Sequence, residues 1–144
     1  AHIIAAAGRV QAHATSCVNS ITQKACVTAL AEEDDSIENM RAEFEKRRDF
    51  LYAELSKLPH VSCFKPQGAF YIMPNISWYL SNNSQSIKDG DQFCQALLEK
   101  HHVALVSGDS FGIPSNVRFS YANSMENLQK GVERFAKFLG ELAR

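Results

Sequence analysis

Asn116-Val117-Arg118-Phe119-Ser120-Tyr121-Ala122 alternates apolar and polar side chains. In an extended strand Val117, Phe119 and Tyr121 share one face, and Arg118 and Ser120 share the other. The apolar face needs cover, and the next segment offers it: Leu128, Val132, Phe135 and Leu139 recur at helical steps from Ser124 onward. Ser124-Met125-Glu126-Asn127 opens that helix and is close to a capping box, with Asn in place of Glu or Gln.

Upstream, Ile37, Met40, Phe44, Leu51, Leu55 and Leu58 mark a long helix ended by Pro59. Glu43, Lys46, Arg47 and Glu54 make its solvated face, and the bases Arg41 to Arg48 are interleaved with acids, so they form no basic patch. Val61 to Phe64 and Ala69 to Met73 read as short antiparallel strands joined through Pro66-Gln67-Gly68. Residues 75–91 form a polar loop, with a helical turn at Trp78-Tyr79-Leu80. Phe93, Ala96, Leu97 and Lys100 indicate another helix, and Val103 to Val106 another strand. The result is an α+β layer: a small, mostly antiparallel sheet covered by helices.

Before the long helix, His2 to about Leu30 reads as two helices separated by Thr15-Ser16-Cys17-Val18-Asn19-Ser20, whose side chains can cap the second. Ile21, Ala25 and Thr28 or Ala29 share one face of it. Glu32-Glu33-Asp34-Asp35-Ser36 breaks the chain again and brings acids to the start of the long helix. The first residues, which lack Met, read as the inside of an element, so the chain is expected to be part of something longer.

Composition narrows the function classes. The chain has 144 residues, 45% hydrophobic and 22% charged, which is globular in character. A net charge of -1 gives no footprint for nucleic acid or an anionic membrane. The apolar start is too short for a bilayer span, which needs about 20 residues, and no basic stretch precedes it as in a signal peptide. Cys17, Cys26, Cys63 and Cys94 form no C-x-x-C pair and have no histidine at zinc-ligand spacing, so reduced thiols and no metal are expected. Two Asn-x-Ser sequons, at Asn75 and Asn82, are patterns common by chance. His13, His60, His101 and His102 lack a second ligand and read as surface or half-buried residues.

Two features could carry chemistry. Arg118, fixed on a strand, presents paired N–H donors that match a carboxylate. Ser107-Gly108-Asp109-Ser110-Phe111-Gly112, at a strand end, lets backbone approach a ligand but lacks the Gly-Lys-Ser/Thr of a P-loop.

Five segments, in order, resemble the fold-type I aminotransferases of the aspartate aminotransferase class (class I/II). Thr15 to Ala25 resembles the family's Ser/Thr-rich turn into a helix, and Lys46-Arg47-Arg48-Asp49-Phe50-Leu51 its long interdomain helix. Pro66-Gln67-Gly68-Ala69-Phe70-Tyr71 is similar to the Pro-x-Gly-Ala-Phe-Tyr strand. Val103 to Gly112 is similar to Val-x-Val-x-Pro-Gly-x-x-Phe-Gly, and Asn116 to Ala122 to the Arg-bearing strand. Ser107 stands where Pro is usual, an exchange expected to loosen the loop, and Val18 where Pro is common.

The resemblance implies a helical remnant over 1–34 that packs on a large domain, then the small C-terminal domain over 35–144. It implies that Arg118 binds the substrate α-carboxylate, that Phe70 packs beside that arginine, and that Thr15 and Ser16 reach the cofactor phosphate of the neighbouring subunit in a homodimer. The cofactor implied is pyridoxal 5'-phosphate, the substrates an amino acid and a 2-oxo acid, the location cytoplasmic. The family's Schiff-base lysine, its acid beside the pyridine nitrogen and its stacking aromatic lie upstream of these segments. None of the chain's lysines stands in the matching context, so no catalytic residue is assigned, and the chain alone is expected to bind no cofactor and to be inactive. The alternatives are a same-fold lyase, a non-catalytic association domain, and a binding module that takes carboxylates through Arg118 alone.

Overall fold

The computed structural model describes residues 2–31, 35–83, 85 and 87–143. The chain divides into two compact units, Ala1–Ile37 and Glu38–Arg144.

In the first unit, α1 (His2–Ala14) and α2 (Ser20–Ala31) flank the polar interruption. Thr15 ends α1 by donating its N–H and its hydroxyl to the Gln11 carbonyl, at 2.9 and 3.1 Å. Ser16 follows in the left-handed region, φ 58°, where helices commonly terminate. Asn19 caps α2 by accepting from the Ile21 N–H at 2.8 Å, the role its residue type suggests. Neither helix has a buried residue, and Ile3, Ile4, Val10, Ile21, Val27 and Leu30 are exposed. Of the acidic run after α2, Glu32, Glu33 and Asp34 lie outside the described residues.

The second unit is built on α3 (Ser36–Ser56), whose first residues precede it. Leu51 and Leu55 are fully buried and Phe44, Phe50 and Leu58 pack on the core. Ile37 and Met40, expected in the same stripe, are exposed instead. Periodicity marks which face of a helix is apolar, not how far the partner surface extends. The polar face carries a run of ion pairs: Arg41 with Glu38 and Glu45, Arg48 with Glu45 and Asp49, and Asp49 with Lys65.

The sheet comprises β1 (Tyr71–Ile72), β2 (Val106–Ser107) and β3 (Val117–Ser120). Its order is β1-β3-β2, and both pairings are antiparallel. These strands are shorter than the alternation suggests. The expected strand Val61–Phe64 is reduced to one bridge, Ser62 with Asn75. The strand expected over Ala69–Met73 keeps only Tyr71 and Ile72, because Ala69 has φ 58° and cannot be extended. The strand expected over Val103–Val106 shifts to Val106–Ser107.

Around the sheet lie α4 (Ser77–Ser81), α5 (Gly90–His101) and α6 (Met125–Leu142). Val117, Phe119 and Tyr121 are buried while Arg118 is half-buried and Ser120 exposed, as the alternation requires. Phe119 meets Phe135 of α6 edge-on at 5.0 Å, and Phe93 of α5 meets Phe138 at 5.1 Å. Leu128, Val132, Phe135 and Leu139 are all buried. Ser124 caps α6 by accepting from the Asn127 N–H, while the Asn127 side chain donates to Asn123 instead of closing a capping box. His101, expected at the surface or half-buried, is buried and paired with Glu141 at 3.0 Å. His60 stacks on Trp78 at 3.9 Å. Among the described residues no helix is long and apolar enough to cross a membrane, and no group of three His, Cys, Asp or Glu could hold a metal ion.

Candidate functional site

Arg118 occupies the central strand, opposite Val106 in the register. Two rings hold its guanidinium: Cζ lies 4.2 Å from the Tyr71 centroid and 4.6 Å from the Phe111 centroid. A guanidinium is weakly hydrated and planar, so it rests on aromatic faces at little desolvation cost. Among the described residues no carboxylate or carbonyl oxygen accepts a hydrogen bond from it. Its charge is positioned without being neutralised.

Tyr71 reaches Arg118 because of register. Tyr71 pairs with Ser120, which shares the face of Arg118. Phe70 is one residue out of phase. Its ring contacts Phe44 at 6.4 Å and Tyr71 at 4.3 Å, and its carbonyl accepts from the Tyr121 N–H at 2.8 Å. The ring expected beside the arginine was Phe70; those over its guanidinium are Tyr71 and Phe111. Tyr71, from the same Pro-x-Gly-Ala-Phe-Tyr segment, reaches the guanidinium through its pairing with Ser120, and the Phe70 ring packs against Tyr71.

Phe111 is delivered by a short 3-10 turn, Gly108–Phe111. Ser107, buried, accepts from the Asp109 N–H at 3.2 Å and donates to the Asp109 carboxylate at 2.6 Å. The exchange of Pro for Ser therefore ties this loop where loosening was expected, because the hydroxyl both donates and accepts. Gly108 donates to the Asn116 carbonyl at 2.8 Å and accepts from the Ile113 N–H at 3.1 Å. Gly112, at φ 73°, closes the turn by donating to the Asp109 carbonyl at 3.1 Å. The first turn of α5 abuts this loop: a Cβ on Gly90 would lie 2.6 Å from the Ser107 hydroxyl.

Asn116 fixes the base of the site by donating to the Met73 carbonyl at 2.8 Å and accepting from Asn75 at 3.3 Å. A mainly apolar groove of about 630 Å³ runs past Tyr71, bordered by Phe64, Met73 and Ile113. Thr15 and Ser16 belong to the other unit, where both are exposed. All eight lysines are exposed.

Residues 1–135 match the model of the family described as aminotransferase class I and II. An aspartate aminotransferase of Bacillus subtilis is 42% identical over 137 residues, which are 95% of this chain and 34% of that protein. An asparagine–oxo-acid transaminase of Streptococcus mutans is 38% identical over 95% of this chain and 34% of its own length. The crystal structure of an aspartate aminotransferase from Rhizobium meliloti superposes with a TM-score of 0.88 at 37% identity, covering 98% of this chain and 36% of that one. The chain thus spans about a third of the length of these relatives. With a family match over almost its whole length and the fold of a solved relative, this chain belongs to the class I and II aminotransferases.

Proposed function

We propose that this chain supplies the substrate α-carboxylate site of a pyridoxal-phosphate-dependent aminotransferase, which moves an amino group between an amino acid and a 2-oxo acid. The observation that carries the reading is Arg118: a half-buried guanidinium fixed by Tyr71 and Phe111, with no acid of the described chain as its partner. A carboxylate arriving there replaces no existing ion pair and gains two charge-assisted hydrogen bonds. The aspartate aminotransferases among its relatives favour aspartate as the amino acid.

Pyridoxal 5'-phosphate supplies an electron sink when bound, and it needs an enclosed lysine amine, an acid at the ring nitrogen and a stacking aromatic. We assign that set to the rest of the whole protein, a reading supported by the exposure of all eight lysines of this chain. No step through the cofactor is assigned to this chain, and the 144 residues alone are proposed neither to bind it nor to transaminate. In the whole protein, proposed to be a cytoplasmic homodimer, α3 is the interdomain helix and residues 1–34 pack on the large domain. Thr15 and Ser16 then face the phosphate of the neighbouring subunit, and Phe70 lines the substrate pocket behind Tyr71.

The test is transamination of aspartate with 2-oxoglutarate by the whole protein. Arg118→Lys keeps the charge but loses the bidentate fork, so kcat/KM is expected to fall about 10²-fold, the equivalent of roughly 3 kcal/mol. Unchanged kcat/KM would remove Arg118 from substrate binding.

A further inference from the structure

Residues 64–70 form an exposed segment, apart from the half-buried Pro66, that leads into β1 and so sets where the Tyr71 ring stands. Its attachments to the rest of the unit are few. Lys65 pairs with Asp49 at 2.9 Å, and the Phe70 ring leans on Phe44. Every backbone hydrogen bond it makes among the described residues goes to Tyr121. The Tyr121 N–H donates to the Phe70 carbonyl at 2.8 Å. The Tyr121 hydroxyl donates toward the Ala69 carbonyl at 3.0 Å and the Gly68 carbonyl at 3.4 Å.

Ala69 is held at φ 58°, a conformation that costs any residue with a Cβ and persists only where its surroundings impose it. The phenol that bonds the Ala69 carbonyl is fixed in turn. The Tyr121 side chain is fully buried and meets Phe44 edge-on at 6.3 Å. Burial also pushes its hydroxyl above the ordinary tyrosine range, so it stays a neutral donor at physiological pH.

We propose that Tyr121 is a positioning residue for the carboxylate site, its hydroxyl holding Ala69 in the left-handed region and thereby fixing Tyr71 against Arg118. The alternation of β3 gives one strand two duties. Arg118 points to the site, and Tyr121, three residues on, secures from the core side the segment that carries the facing ring. The proposal rests on the reading of Arg118 as the carboxylate ligand only for its functional meaning; the geometry is measurable with no ligand present.

The experiment is the side-chain N–H spectrum of Arg118 in the 144-residue chain. Its guanidinium lies over two ring faces, so its resonance is expected upfield of a free arginine, and Tyr71→Leu measures the share due to Tyr71. Tyr121→Phe, which keeps the buried ring and removes only the hydroxyl, is expected to lose that share and retain the Phe111 share. Adding Ala69→Gly to Tyr121→Phe is expected to restore it, because glycine holds φ 58° without the phenol. An unchanged Arg118 shift in Tyr121→Phe overturns the proposal, as does failure of the double variant to recover it, since that would mean general loosening. Should Tyr121→Phe not fold, Ala69→Val raises the cost of φ 58° from the exposed side; it is expected to lose the same share, and an unchanged shift overturns the proposal there too. The transamination test of Arg118 can fail without altering any of these shifts, so the two readings stand or fall separately.

Discussion

Gly108 donates its N–H to the Asn116 carbonyl at 2.8 Å, and the approach is so close that no side chain fits between them. A Cβ at Gly108 would lie 2.5 Å from that oxygen and 2.2 Å from the Ile113 carbonyl oxygen. Both obstacles are backbone atoms, which cannot swing aside as a side chain could. Gly108→Ala is therefore expected to destabilise the chain by about 1–3 kcal/mol, the usual cost of overpacking. It should also displace Phe111 from Arg118. A lowered urea midpoint, together with a downfield move of the Arg118 resonance, checks both parts; an alanine variant of full stability would contradict the close packing.

Tyr71 contributes to the site through its ring face, so the hydroxyl is expendable and the aromatic system is not. Tyr71→Phe should leave carboxylate affinity within about twofold. Tyr71→Leu should weaken it about 3- to 10-fold, corresponding to a cation–π contact of roughly 1 kcal/mol at a half-exposed position. Inhibition of the whole protein by a non-reacting dicarboxylate such as maleate reads the difference. Equal losses in both variants would shift the credit to the phenol oxygen.

Alkaline stability follows from the half-buried thiol of α5. Burial first, and then the nearby Asp91 and Asp109, push Cys94 up to about 11 from an ordinary 9.0. Below about pH 9 the thiol is neutral in both folded and unfolded chains. Between 9 and 11 the unfolded chain gives up the proton while the folded chain keeps it, so stability falls as pH rises and the loss is complete above 11. Cys63, Tyr79 and Tyr121 are raised in the same direction. Cys94→Ala should thus make the decline in urea midpoint from pH 8 to 10.5 shallower without abolishing it. Parallel curves for the two proteins would exclude Cys94 as a contributor.

The elements that could be read from the chain are those where one residue pattern meets one geometry. The alternation at Val117-Arg118-Phe119-Ser120-Tyr121 fixed both the buried face and the outward arginine, and the stripe from Leu128 to Leu139 fixed the helix that covers it. Strand ends and register were not legible. Alternation says that Phe70 and Tyr71 point opposite ways, but only the pairing of Tyr71 with Ser120 decides which of them faces Arg118. Ala69 could not be read as a strand breaker either, because alanine carries no local preference for φ 58°; the Tyr121 hydroxyl, far along the chain, imposes it. Ser107 was misjudged for a similar reason. Its effect depends on an Asp109 side chain within reach, which residue type alone does not reveal.

The manner in which Arg118 is held bears on the speed of the site as well as its strength. Rings orient a cation without cancelling it, whereas a resident carboxylate would have had to leave before any ligand could enter. The uncompensated charge extends a field outward over about a Debye length, so anions are drawn in before contact and encounter slows as added salt shortens that reach.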